Sequence, residues 1–457
     1  MVDACMQRWY DDVNRTGGMD MENYLGSSAC SCGKTHDAAI DEVIVGRSAV
    51  KRLPEFVNKY GAKKPFLLAD VNTWAAAGET VEKVLSDSGI ACAKYVFPQQ
   101  HLEPDEAAVG GAVMHFDASC DIVIGVGSGV INDIGKILAK VSGLHYIIVG
   151  TAPSMDGYAS ATSSMSMDGL KVSLNSRCAD VIIGDTDILK TAPDHMLKAG
   201  LGDMLAKYIS IAEWRIAHII TGEYYCERVA QLIRSALKKC VDHADGLLRR
   251  EDAAIEAVFE GLVIGGIAMA YAGVSRPASG VEHYFSHVWD MRALEFGTQA
   301  DLHGIQCAMA TAKAAKLYEH VKTLTPDEQK ATAYVQAFSW DEWQQVLRTF
   351  LGNSGETMIA LEAKEGKYRK ETHAARFNVI RDNWDEIVRI IDEEIPAYAE
   401  VSALMKVLGI SEDLSVIGVD DEVAKLTFKA SKDIRDKYVL SRLAWDLGVL
   451  EELAEEL

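Results

Sequence analysis

IVIGVGSGVINDIGK, residues 122–136, changes its period in the middle. The first five residues form an apolar run of strand length, broken only by Gly125, and from Val130 onward apolar side chains recur at helical spacing. Between the two patterns lies Gly125-Val126-Gly127-Ser128-Gly129. A glycine-rich turn from strand to helix lets the backbone approach a pyrophosphate closely, and the helix N-terminus adds free N–H donors and positive potential. The third glycine comes too early for GxGxxG, so a tight turn without a ligand is the competing reading. Asp133, one turn into the helix, either caps it or faces a cofactor.

The same alternation extends to both sides. Strands are expected over 40–45, 65–70, 93–97 and 144–149, with helices over 80–88 and 130–140. Short strands alternating with helices imply a parallel sheet covered on both faces. Asp70 ends the second strand, where a carboxylate can accept the ribose hydroxyls of a dinucleotide. It would oppose a 2′-phosphate, which favours NADH over NADPH; a helix-cap or turn role is the alternative. After residue 187 long helical patterns dominate, over 204–221, 223–249, 252–272, 280–294, 305–321, 340–351, 376–395 and 421–440. A boundary is placed near 186–193, where Pro193 can begin a helix. The expected architecture is a Rossmann-like α/β nucleotide-binding domain over 1–190 and an all-helical metal- and substrate-binding domain over 191–457. Residues 325–400 are set apart as a helical insertion or partner surface.

Composition narrows the function. Among 457 residues, 46 Lys and Arg face 67 Asp and Glu, a net charge of −21. That sets aside general nucleic-acid binding, and a phosphate-bearing substrate would need a local cationic or N–H site. The apolar runs at 121–130 and 144–149 fall short of the ~20 residues a membrane span needs. Residues 1–16 lack a signal-peptide pattern, and the nine cysteines are scattered, as expected of a reduced, cytoplasmic protein. Cys30, Cys32 and His36 cluster, but two thiols and one imidazole are too few for a closed zinc site, so a structural or peripheral role is expected.

Candidate metal ligands lie in the second half. Asp203 precedes a long helix, His283 and His287 are one turn apart on one helix face, and His303 follows. One carboxylate and two imidazoles with an open position suit a catalytic divalent metal such as zinc, nickel or iron. Ordinary hydrogen-bonded histidines are the alternative, since this spacing recurs on many helices.

Several segments together resemble the sn-glycerol-1-phosphate dehydrogenases, particularly the bacterial branch: 125–136 (GVGSGVINDIGK), 151–160 (TAPSMDGYAS), 199–207 (AGLGDMLAK), 275–287 (SRPASGVEHYFSH), 302–304 (LHG) and 434–448 (IRDKYVLSRLAWDLG). These belong with the iron-containing alcohol dehydrogenases, glycerol dehydrogenases and dehydroquinate synthases. The resemblance implies a dehydroquinate synthase-like fold with the active site in the cleft between the domains. It implies metal binding by Asp203, His283 and His303, with His287 beside the substrate and Asp156 near its hydroxyls, both as catalytic candidates. Gly127, Ser128, Gly129 and Asp133 would lie along the cofactor, as would Thr151, Ser154 and Ser160. Arg276 and Lys136 are the expected phosphate anchors, a guanidinium or an ammonium being suited to that group. The implied activity is reversible NAD(P)H-dependent reduction of glycerone phosphate, by a homodimer or larger homo-oligomer. A polyol dehydrogenase acting on an unphosphorylated substrate is the alternative.

Overall fold

The computed structural model describes residues 21–167 and 170–457. The chain forms two compact units. Of the described residues, the first comprises 21–166, 172–200 and 226–274; the second comprises 167, 170–171, 201–225 and 275–457.

The first unit is built on six strands: β3 Glu42–Gly46, β4 Pro65–Asp70, β5 Ala93–Phe97, β6 Ile122–Gly127, β7 His145–Gly150 and β10 Val181–Asp185. Their spatial order is β3-β10-β7-β6-β4-β5, and every pairing is parallel. β4, β6 and β10 are buried along their whole length, as a parallel sheet covered on both faces requires. Strand alternation divides the side chains. Leu67, Ile124, Ile147, Val149 and Ile183 pack with Leu53 and Val57 of helix Leu53–Lys59 and with Val81 and Leu85 of helix Glu79–Asp87. On the opposite face, a Cβ at Gly150 or Gly184 would fall 2.8 or 2.4 Å from the ring of Phe259. These glycines make the seat for helix Asp252–Ala272.

That helix corrects two expectations. It is long and apolar enough to cross a membrane and exceeds the runs singled out in the sequence, yet most of it is buried, as in a core helix. It also places residues 226–274 with the sheet, so the first unit does not end near residue 190. The sixth strand, β10, was not foreseen, because Val181–Asp185 is short and no periodic helix precedes it. Two further strands, β8 Thr162–Met167 and β9 Leu170–Asn175, form a separate two-stranded sheet. A small antiparallel hairpin, β1 Gly26–Ala29 and β2 Thr35–Ala38, precedes the main sheet.

The second unit is helical. Helices Lys207–Thr221, Val281–Phe296 and His303–Lys322 form its centre. Several long patterns read as single helices are broken: 376–395 spans the end of Lys370–Asp382 and Trp384–Glu394, and 421–440 holds Asp421–Ser431 and the start of Leu440–Leu447. The periodicity runs through these breaks because both halves bury apolar faces.

Candidate metal centre and nucleotide-binding turn

In the first unit β6 runs through the glycine turn into helix Gly129–Ser142. Ser128 is the N-cap residue, but its side chain makes no capping bond. Its hydroxyl instead lies 2.6 Å from that of Ser154. The first-turn N–H groups therefore have no cap from the Ser128 side chain, an arrangement that suits an anion. A Cβ at Gly127 would fall 2.5 Å from Ile131 Cβ, so only glycine fits there. Thr151, buried, donates its N–H to the Gly127 carbonyl at 3.1 Å. Ser160 stands apart, its hydroxyl 2.9 Å from that of Thr162. Asp156 opens the short turn Asp156–Ala159 and is half-buried.

Asp70 caps the turn that follows β4. Its Oδ1 accepts from the N–H groups of Asn72 at 2.8 Å and Thr73 at 2.9 Å, while Thr73 Oγ1 accepts from the Asp70 N–H. The capping reading holds, and Oδ2 takes no part in these bonds. Lys136 corrects an expectation. Its ammonium is fully buried, 2.9 Å from Asp133 Oδ1 and donating to the carbonyls of Gly157, Ser160 and Thr162. It ties the helix to the following loop and is not presented to a phosphate.

In the second unit the metal candidates converge. Asp203 sits in the last turn of helix Asp194–Leu205, and His283 and His303 lie near the starts of their helices. His283 Nε2 is 3.6 Å from Asp203 Oδ1, and the imidazoles of His283 and His303 have centres 5.0 Å apart. The hydrogen bonds assign the tautomers. His283 Nδ1 is 2.8 Å from Glu282 Oε1, a carboxylate that only accepts, so Nδ1 carries the proton. Ser286 donates to Gln306 Oε1 at 2.6 Å and so accepts from His303 Nδ1 at 2.8 Å. Nδ1 of both rings is thus engaged, and Nε2 is the nitrogen each can offer a metal. The donor set fits a divalent cation: a buried carboxylate, two imidazoles and their orienting partners.

Asp203 is fully buried, which opposes its charge, but Lys207 and His283 outweigh burial and hold its carboxyl far below the usual range. Lys207 Nζ is 2.7 Å from Asp203 Oδ1. Cys307, one turn after His303, brings its Sγ within 3.5 Å of His303 Nε2. Sequence reasoning missed Glu282, Ser286, Lys207 and Cys307. Their signal was position: next to a ligand, or three or four residues from one along a helix. His287 lies 5.7 Å from His303, centre to centre. Burial, then Arg435 and the two neighbouring imidazoles, push its proton affinity well down, so it is neutral at pH 7.

Arg276 is the second correction. It is 1% exposed, and its guanidinium pairs through two nitrogens with the Glu223 carboxylate while Nη1 donates to the Tyr438 carbonyl at 2.9 Å. Each of its three nitrogens already donates to the protein. Nearby, Lys437 donates to the Ser279 carbonyl at 2.9 Å. Burial, then Arg276 and Arg435, bring its ammonium down to about 7.

Residues 44–193 match the family model for iron-containing alcohol dehydrogenase. Over 298 residues the chain is 35% identical to a glycerol-1-phosphate dehydrogenase [NAD(P)+] of Halalkalibacterium halodurans, covering 64% of this chain and 75% of the relative. A protein of that name from Bacillus velezensis is 33% identical over 285 residues, 62% of this chain and 72% of the relative. The fold is similar to that of glycerol dehydrogenase from Schizosaccharomyces pombe, with a TM-score of 0.57 and 17% identity over 94% of this chain and 91% of that one. The chain belongs to the glycerol-1-phosphate dehydrogenase family.

Proposed function

We propose that this protein is a metal-dependent, NAD(P)H-dependent dehydrogenase that interconverts glycerone phosphate and sn-glycerol 1-phosphate. The observation that carries the reading is the Asp203, His283 and His303 set, with Nδ1 of both rings held by a protein partner and Nε2 left for a metal, in a chain whose relatives bear that activity in their name. A divalent metal held by these three residues supplies a Lewis acid for the ketone oxygen, and the nicotinamide supplies the hydride.

The chain's own residues do the rest. Glu282 and Ser286 fix the imidazole rings, and Lys207 keeps Asp203 ionised. The uncapped helix start at Gly129 receives the pyrophosphate, flanked by Ser128, Ser154 and Thr151. Asp70 Oδ2 is the acceptor for a ribose hydroxyl, which favours NADH. The product hydroxyl needs a proton; His287, one turn from His283 and neutral, hands it on from solvent. Asp156 orients the substrate hydroxyls.

With Arg276 and Lys136 engaged elsewhere, the phosphate falls to Arg435 and Lys437. Both lower the proton affinity of His287, which puts their charges near its ring. The guanidinium of Arg435 has no hydrogen bond or ion pair among the described residues. Zinc, nickel and iron all suit the carboxylate and imidazole donors. The eight described cysteines are free, which suits a reducing compartment such as the cytoplasm.

The test is NADH oxidation by metal-reconstituted protein, with glycerone phosphate and dihydroxyacetone assayed in parallel. Turnover confined to the phosphorylated ketone is expected. Faster turnover of dihydroxyacetone would make the protein a polyol dehydrogenase and remove the phosphate role of Arg435 and Lys437.

A further inference from the structure

The hairpin of β1 and β2 carries a second set of metal-binding side chains, wholly within the first unit. Cys30 and Cys32 lie in its turn, closed by the Gly33 N–H donating to the Cys30 carbonyl and the Cys30 N–H donating to the Lys34 carbonyl. Gly33 there has φ +86°, a left-handed conformation that suits glycine. His36 follows in β2 and is fully buried. The fourth member comes from far along the chain: Cys226, 1% exposed, is the N-cap residue of helix Glu227–Asp242. This overturns the count of two thiols and one imidazole.

The donor atoms of Cys30, Cys32, His36 and Cys226 all lie within 4.8 Å of one another. Cys30 Sγ to Cys226 Sγ is 3.7 Å, Cys32 Sγ to His36 Nε2 is 3.5 Å and Cys226 Sγ to His36 Nε2 is 3.4 Å. A tetrahedral zinc ion, with Zn–S of about 2.3 Å and Zn–N of about 2.0 Å, separates its ligand atoms by about 3.5–3.8 Å. The sulfur–sulfur distance of 3.7 Å lies far outside a disulfide bond.

The protonation pattern is also set. His36 Nδ1 faces the Tyr271 carbonyl at 2.9 Å. A carbonyl only accepts, so Nδ1 carries the proton and Nε2 points its lone pair at the two sulfurs. This is the orienting contact that metal-bound histidines make. Arg228, which reaches the Ala29 carbonyl at 3.4 Å, brings a cation beside the excess negative charge of three thiolates and one zinc.

We propose that Cys30, Cys32, His36 and Cys226 form a closed structural zinc site that fastens the hairpin to the start of helix Glu227–Asp242. Four protein ligands leave no open position for substrate, so the site is separate in kind from the Asp203 centre.

The experiment uses the full chain carrying His283→Ala and His303→Ala, which removes the other metal centre, purified under reducing conditions. Zinc per chain is measured by mass spectrometry, and the cobalt-substituted form by absorption. One tightly held zinc per chain is expected. The cobalt form should show thiolate-to-metal charge transfer and the intense visible bands of tetrahedral cobalt. Adding Cys30→Ser and Cys226→Ser should abolish both signals. Because those variants could fail to fold, the cobalt spectrum of the chain with all four donors intact is the deciding reading. Absence of bound metal from that chain, a cobalt spectrum without thiolate bands, or a Cys30–Cys226 disulfide in the isolated protein would each overturn the proposal. None of these readings depends on turnover or on the identity of the substrate.

Discussion

Arg276 and Lys437 are both cations of the second unit, and they have opposite fates. The Arg276 guanidinium is consumed by Glu223 and the Tyr438 carbonyl. Replacing Arg276 with Ala strands a carboxylate and a buried carbonyl, at a cost of about 3 kcal/mol. A urea melt should show that loss, while the KM of the remaining folded enzyme for glycerone phosphate stays close to the parent value. Lys437→Ala should instead raise the KM for the phosphorylated ketone by about tenfold or more, leaving dihydroxyacetone kinetics unchanged. The pH dependence has a definite sign. The Lys437 ammonium is brought down to about 7, so its charge is present below that pH and lost above it. The KM for glycerone phosphate should therefore climb as pH rises past neutrality, and the Lys437→Arg variant, which stays charged, should show a flatter profile. Asp203, His283, His287 and His303 could be marked as candidates from residue type and helical spacing, the family resemblance singled out all but His287 as metal ligands, and the structure brings Asp203, His283 and His303 together. Which cation is available could not be read, because availability depends on partners such as Glu223 and the 157–162 loop. The fourth ligand of the hairpin was equally hidden: Cys226 lies 190 residues from His36 in the chain, and no local spacing connects them.

Elements were legible where their pattern is local. Strands Pro65–Asp70 and Ala93–Phe97 and helices Asp252–Ala272 and Trp340–Leu351 have the bounds that periodicity alone suggests. The seat of helix Asp252–Ala272 was not legible, because it depends on glycines in two different strands. Gly150 and Gly184 lie on one face of the sheet and leave space that the Phe259 ring fills. Gly184→Ala would put a methyl 2.4 Å from that ring. Gly184 is not among the residues with positive φ, so the cost is steric alone. Overpacking of this kind costs about 1–3 kcal/mol. Denaturant unfolding should show that loss, and adding Phe259→Leu should recover part of it by vacating the space. If Gly184→Ala were neutral, the helix would not be seated as described, and the sheet would have to accommodate the methyl by a shift of β10.

At the scale of the molecule the misleading feature was linear order. Residues 226–274 return to the sheet unit, which no boundary drawn once along the sequence can express. Residues 325–400, set apart as a helical insertion or partner surface, pack within the second unit. Asp433 accepts from Trp343 Nε1 at 2.7 Å and from the Tyr368 hydroxyl at 2.6 Å. The Trp445 ring meets Tyr334, Phe338, Tyr368 and His373. Asp446 is fully buried and is held by two nitrogens of Arg376 and by the Tyr438 hydroxyl. An added segment lying on a finished fold would not supply the counter-charge of a buried carboxylate near the C-terminus. Two substitutions separate the alternatives. Arg376→Ala leaves Asp446 buried with the Tyr438 hydroxyl as its hydrogen-bond partner and Arg442 as the remaining nearby cation, and removal of one member of such a pair costs about 3 kcal/mol. Arg389, whose partners Glu386 and Glu393 are exposed with it, should leave the unfolding midpoint nearly unchanged when replaced by Ala, because water takes over from the lost pair. An integral segment gives a large difference between the two midpoints in urea; a peripheral insertion would make them alike.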